Sequence, residues 1–230
     1  MGVEGHEVVQ HLAAHARQFI ETGGAPAVPR LAATVPLLRP GVDGFEVFLI
    51  LRRTNLAFAG GMYAFPGGGV DPVDYTGGAV PRWVTRLGLP EAEAAAVLRA
   101  AVRELAEETG VCVDVTALVP WTRWLTPEFE PRRYDTYFFV AALPGGQRPG
   151  RPAGSEGEID RVAWLRPCDA LAAAEAGTLP MLPPTVAVLR DLASFDSLEA
   201  ALAAGADRDL STPITPRIVQ DEDGTARLVL

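Results

Sequence analysis

Apolar residues recur along this chain in two patterns: short runs that suit strands, and stripes at three- and four-residue spacing that suit helices. Leu31–Leu38 and Phe45–Arg52 read as two strands, joined by a turn at Pro40-Gly41 and Asp43-Gly44. Met62–Phe65 reads as a short strand between Gly60-Gly61 and Gly67-Gly68-Gly69. Further strands are expected at Cys112–Leu118, Trp121–Leu125, Tyr134–Ala142 and Arg161–Leu165. Residues 6–22 read as a helix with Val8, Leu12, His15 and Phe19 on one side, ended by Gly23-Gly24. Val80–Leu87 reads as a short helix. A longer one starts at Pro90, a favoured first position, with Glu91 and Glu93 in its first turn. Its stripe of Leu98, Val102 and Leu105 faces a core, and Gly110 suits its end. Cys168–Ala176, Thr185–Ser194 and Ser197–Ala204 read as helices, and residues 212–230 as a hairpin around Asp221-Glu222-Asp223-Gly224. Gly145–Gly157 reads as a loop rich in Gly, Pro and Arg. Strands interleaved with helices imply an α/β fold.

The long helix carries the chemistry. Glu104, Glu107 and Glu108 stand at i, i+3 and i+4, on one helix face. Three like charges repel, and a solvated acidic face is their commonest use. Here the face sits on a helix fixed by an apolar stripe, and Arg103 stands one turn before Glu107, where its fork can hold that carboxylate. Such a face suits a hard divalent cation, which takes carboxylate and phosphate oxygens.

Composition narrows the partners. Of 230 residues 48% are hydrophobic, which predicts a globular chain. The net charge of −9 argues against nucleic acid or a membrane surface. No apolar run is long enough to span a membrane, and Met1–Gln10 is too polar for a signal peptide. Two cysteines make neither a disulfide scaffold nor a zinc site, so a cytoplasmic location is expected. There is no lysine, so every cationic side chain that could meet a phosphate is an arginine. The three histidines all lie within the first fifteen residues, which leaves acid–base work to carboxylates, water or Tyr. His11 and His15, at i, i+4, suit a metal pair or an amphipathic surface helix.

Arg103-Glu104-Leu105-Ala106-Glu107-Glu108-Thr109-Gly110-Val111, with Phe65-Pro66-Gly67-Gly68 upstream, resembles the second half of the Nudix box and its lead-in. The resemblance implies a Nudix-type α/β/α sandwich with a mixed sheet, hydrolysing a nucleoside diphosphate linked to another moiety with Mg²⁺ or Mn²⁺. Around a domain at 29–195 it leaves an N-terminal helical extension (1–28) and a C-terminal helix and hairpin (196–230). The implied metal ligands are Glu104, Glu107 and Glu108. Glu107, Glu104 or Glu158 would act as base beside Arg103. Glu158, before the strand ending in Trp164, suits a metal ligand, a base or a solvated loop carboxylate.

Two departures stand out. The box glutamate is Ala95, and an insertion at 71–90 separates Gly68 from the helix. The missing residue is none of the three central ligands, so activity is expected to survive, with Glu91 or Glu93 as candidate substitutes. The interrupted box, with Leu51-Arg52-Arg53-Thr54 before it, is similar to the acyl-coenzyme A diphosphatase branch. That branch's coenzyme A motif has an arginine where Ala57 stands.

The expected substrate is a small diphosphate, coenzyme A or acyl-coenzyme A. NADH, ADP-ribose or nucleotide sugars are alternatives, and a non-catalytic nucleotide sensor is another. A homodimer is compatible with these readings. Arg52, Arg53, Gly67, Gly68, Arg132 and Arg133 are the candidate substrate contacts. The glycines would bring backbone to a phosphate or simply turn a hairpin. Arg132 and Arg133 would clamp phosphates or pair with Glu128 and Glu130. Trp121, Trp124 and Tyr134 suit adenine stacking or plain core.

Overall fold

Alternation along β7 (Tyr134–Ala142) explains the architecture. Tyr137, Phe139 and Ala141 join one core cluster, while Phe138 and Val140 join another. β3 (Gly44–Arg52) divides likewise, with Phe48 and Ile50 on one side and Phe45, Val47 and Leu49 on the other. Period-two strands that are apolar on both faces need cover on both faces. Helix α1 (Glu91–Thr109) covers the first cluster. Helices α2 (Pro167–Glu175), α3 (Pro183–Leu192) and α4 (Leu198–Gly205) contribute to the second. The result is an α/β/α sandwich. This computed structural model describes residues 14–19, 21–54, 60–77, 80–150, 159–220 and 226–229.

The sheet is mixed. β7 runs parallel to β1 (Arg30–Thr34) and β2 (Leu37–Gly41), and antiparallel to β6 (Val119–Leu125). β1 also pairs with β5 (Gly67–Gly69), and β3 with β2, β4 (Tyr63–Ala64) and β8 (Ile159–Leu165). The single strand expected over Leu31–Leu38 is therefore two. Pro36 has no N–H for a ladder, and Val35 N donates instead to Pro66 O at 2.8 Å. β1 and β2 diverge there, and β1 carries β5 towards α1.

The strand expected at Cys112–Leu118 is absent. The Gln147 amide takes both backbone groups of Cys112 at 2.8 Å, and Asp114 caps a 3₁₀ turn at Val115–Ala117. Side chains thus satisfy the backbone that a ladder would have used. The insertion forms two 3₁₀ turns, Pro72–Tyr75 and Arg82–Leu87, rather than a helix over Val80–Leu87. β9 (Arg217–Gln220) and β10 (Ala226–Val229) form the expected terminal hairpin. The predicted N-terminal helix is seen over 14–19 and 21–22, and its first half lies outside the described residues.

Candidate active site

Leu98 and Leu105, fully buried, and Val102, packed against the same cluster, lock α1 to the sheet. The opposite side of its last turns carries Arg103, Glu104, Glu107 and Glu108, and β5 lies alongside. β5 approaches so closely because it has no side chains. A Cβ on Gly68 would stand 2.6 Å from Glu104 Oε2 and nearer still to the rest of that carboxylate. A Cβ on Gly67 would stand 2.7 Å from Thr34 Cα. The glycines are a strand, and their need for bare backbone comes from neighbours, not from a turn.

Arg103 ties the group together. Its guanidinium has five N–H groups, and each has an acceptor. Nε donates to Asp74 Oδ1 at 3.0 Å, and Nη2 to Asp74 Oδ2 and Gly69 O, both at 2.9 Å. Nη1 donates to Glu104 Oε1 at 2.8 Å and Glu107 Oε2 at 3.1 Å. Glu108 is buried and turns the other way, accepting from Gly67 N at 2.8 Å, with Arg52 Nη1 3.7 Å from its Oε1. Arg52 Nε is buried without a hydrogen-bond partner among the described residues. Burial pushes the Glu104 carboxyl above its ordinary pKa, against the Arg103 hydrogen bond and charge that lower it. The Asp74 hydrogen bond leads the causes that raise Arg103 and keep it charged.

The structure thus gathers Arg103, Glu104, Glu107, Glu108, Gly67, Gly68 and Arg52. Arg53 is exposed just beyond β3. Arg132 and Arg133 line a different cleft of about 370 Å³, with Ala27, Val28, Arg30 and Tyr134. The buried Arg133 donates to Thr126 O at 3.0 Å and Ala27 O at 2.9 Å, so much of its fork holds backbone. Among the described residues neither arginine pairs with Glu128 or Glu130; Glu130 meets His15 at 3.1 Å instead. Trp121 and Trp124 are core residues, not stacking platforms. Glu158 lies outside the described residues, as does Ala57.

Sequence reading missed Asp74. It is only 3% exposed, and Asp71 N also donates to it at 2.8 Å. A signal was present. Asp71-Pro72-Val73-Asp74 has a capping acid, a proline at the first turn position and a second acid three residues on, and it forms a capping box. Neither Glu91 nor Glu93 is among the acids that meet Arg103, which are Asp71, Asp74, Glu104 and Glu107.

The family model described as the NUDIX domain matches residues 28–183. The chain belongs to the NUDIX family. It is 30% identical over 181 residues to the acyl-coenzyme A diphosphatase NUDT19 of Gallus gallus, a match covering 74% of this chain. It spans 46% of that relative's length. A NUDIX hydrolase from Alicyclobacillus acidocaldarius has a similar structure, with a TM-score of 0.65 and 25% identity over 77% of this chain and 96% of that one.

NUDIX hydrolases generally use divalent metal ions. Among the described residues no three acidic, histidine or cysteine side chains enclose a cation. The donor chemistry suits one that keeps water and substrate oxygens. Glu104 and Glu107 meet at a single Arg103 nitrogen, and Glu107 is 58% exposed. Magnesium is typically held by one or two carboxylates plus phosphate and water, not by an all-protein cage. No helix of the described residues is long and apolar enough to cross a membrane.

Proposed function

We propose that this chain is a Nudix pyrophosphohydrolase that splits the P–O–P linkage of coenzyme A or an acyl-coenzyme A. The observation that carries the hydrolase reading is the Arg103 fork, which holds Glu104 and Glu107 together beside a side-chain-free strand. Glu104 and Glu107 would hold the cation, Mg²⁺ or Mn²⁺, and Glu108 would join them only by leaving Gly67 N. The cation would neutralise the diphosphate and acidify the attacking water.

Gly67 and Gly68 stay candidate backbone contacts to a phosphate, although the space that their missing side chains leave is taken by Thr34 and Glu104. Glu107, the most exposed of the three, takes the proton as water attacks phosphorus and the bridging P–O bond breaks. Arg103 holds that carboxylate in place. Arg52, beside Glu108 and with an unused buried N–H, is the nearest candidate for a phosphate contact. Glu158 stays a candidate base from its place in the sequence, and Arg53 a candidate contact.

Similarity to the chicken acyl-coenzyme A diphosphatase supports the substrate. So does the arginine-lined cleft, since coenzyme A carries a 3′-phosphate besides its diphosphate. A chain of net charge −9 must meet such a polyanion with local arginines. Among the described residues Arg30 and Arg132 have no ion pair, which leaves both available for that phosphate. Two exposed free cysteines suit a reducing, cytoplasmic setting.

The test is a Mn²⁺-dependent screen on coenzyme A, acyl-coenzyme A, NADH, ADP-ribose and nucleoside triphosphates, with products identified by mass. The proposal requires 3′,5′-ADP and a phosphopantetheine from the coenzyme A species. Faster cleavage of NADH or ADP-ribose than of any coenzyme A species would overturn the substrate and keep the diphosphatase. No cleavage of any of them would overturn both.

A further inference from the structure

Asp74 stands outside the nine-residue run that marks the family, within the insertion that interrupts it. Its carboxylate is nonetheless the main anchor of Arg103, engaging Nε and Nη2 as a fork at 3.0 and 2.9 Å. We propose that Asp74 is a positioning residue for the cation platform, acting through Arg103 to keep Glu104 and Glu107 available to a divalent cation. The inference rests on the metal-platform reading above.

Arg103 and the cation seek the same carboxylates. With Asp74 present, three of the five N–H groups point to Asp74 and Gly69 O, and only Nη1 faces Glu104 and Glu107. Asp74 thus supplies counter-charge on the side away from the platform. Asp71, whose oxygen lies 3.8 Å from Nη2 and which is 65% exposed, is too distant and too solvated to replace it. Without Asp74 two of those three N–H groups lose their acceptor, and only Gly69 O remains. The guanidinium then turns its full charge on Glu104 and Glu107 and closes the space a cation needs.

The anchor is itself well held. Asp71 N donates to Asp74 Oδ2 at 2.8 Å, and Arg99 Nη1 donates to Asp74 O at 3.0 Å, so both the side chain and the backbone of Asp74 are fixed against α1. The insertion therefore works as part of the site. It delivers a carboxylate from a loop to Arg103 on the helix.

The test is calorimetric titration of Mn²⁺ into wild type, Asp74→Asn, Arg103→Lys and the double variant, without substrate. Circular dichroism reports whether each is folded. Asp74→Asn should raise the Mn²⁺ dissociation constant at least about tenfold, the scale of one lost charge-assisted hydrogen bond. In the Arg103→Lys background the same change should add little, because the effect passes through the fork.

A folded Asp74→Asn protein with a dissociation constant within about twofold of wild type would overturn the inference, as would additivity in the double variant. If Asp74→Asn does not fold, Asp74→Glu carries the test. It keeps the charge, so its constant should stay within about threefold of wild type, and a tenfold rise would count against the proposal. Failure of wild type to bind Mn²⁺ would overturn the platform reading itself, an outcome distinct from unchanged binding in the variant.

Discussion

Replacing Gly68 by alanine tests the site with one carbon atom. Gly68 lies in β5 without a left-handed backbone, so alanine brings no intrinsic strain there. The contact decides the outcome. The new Cβ would stand 2.6 Å from Glu104 Oε2 and nearer still to Cδ, where ordinary contacts begin at 3.4 Å. The carboxylate must retreat by about 1 Å. Its 2.8 Å bond from Arg103 is then stretched beyond hydrogen-bond length.

A charge-assisted bond of this kind contributes about 1.5–3 kcal/mol, and a Gly→Ala change returns about 0.4–1 kcal/mol by stiffening the unfolded chain. The net cost should be roughly 1–2 kcal/mol in urea unfolding. Misplacing a catalytic group by that distance should lower turnover about a hundredfold. Gly69→Ala is the matched control for stability, since its Cβ meets nothing within 4 Å. The assay is Mn²⁺-dependent release of 3′,5′-ADP from coenzyme A, beside the unfolding curves. A Gly68→Ala protein with wild-type turnover and stability would refute the view that Glu104 must lie against β5.

Glu107→Gln removes a charge from an exposed position, so it should keep its unfolding midpoint while turnover falls by at least about two orders of magnitude; stopped assays over a metal series check this. Glu91→Ala and Glu93→Ala, which remove no acid that meets Arg103, should each stay within about 0.5 kcal/mol of wild type and leave the Mn²⁺ titration unchanged. Arg52→Ala should raise KM for coenzyme A at least about tenfold, the scale of one phosphate contact. Arg132→Ala should also raise it, and the rise should shrink with 3′-dephospho-coenzyme A if the cleft holds the 3′-phosphate. Steady-state kinetics on the two substrates separate these cases.

Much of the fold was legible because its cues are local. β7 was readable from Tyr134 to Ala142 because nine successive positions suit a strand buried on both faces. α1 announced itself through Pro90, its apolar stripe and Gly110, which takes φ 74° at the helix end. The acids on one face of α1 follow from the period of a helix, and Arg103 reaches Glu107 as its spacing requires. What was missed depends on partners far along the chain. Val111–Val113 looks like a strand in isolation, but the Gln147 side chain claims its edge from 35 residues away. Asp74 reads as a turn residue until Arg103, 29 residues later, is folded against it. Arg133 suits a phosphate clamp or a pairing with Glu128 and Glu130 by its sequence, but its guanidinium ties Thr126 O to Ala27 O.

The insertion also ends in the hydrophobic core. Val84 and Leu87 lie in the cluster beneath α1, and the buried Tyr137 hydroxyl donates to Leu87 O at 3.1 Å. Trimming residues 71–90 to a short connector would leave a void under the helix and a phenol without its acceptor, besides freeing Arg103. The anchor of Arg103 and part of the core beneath α1 therefore come from one segment of this chain. Amide hydrogens of the insertion and of the last turns of α1 should exchange together, and a ligand that seats on the carboxylates should slow both.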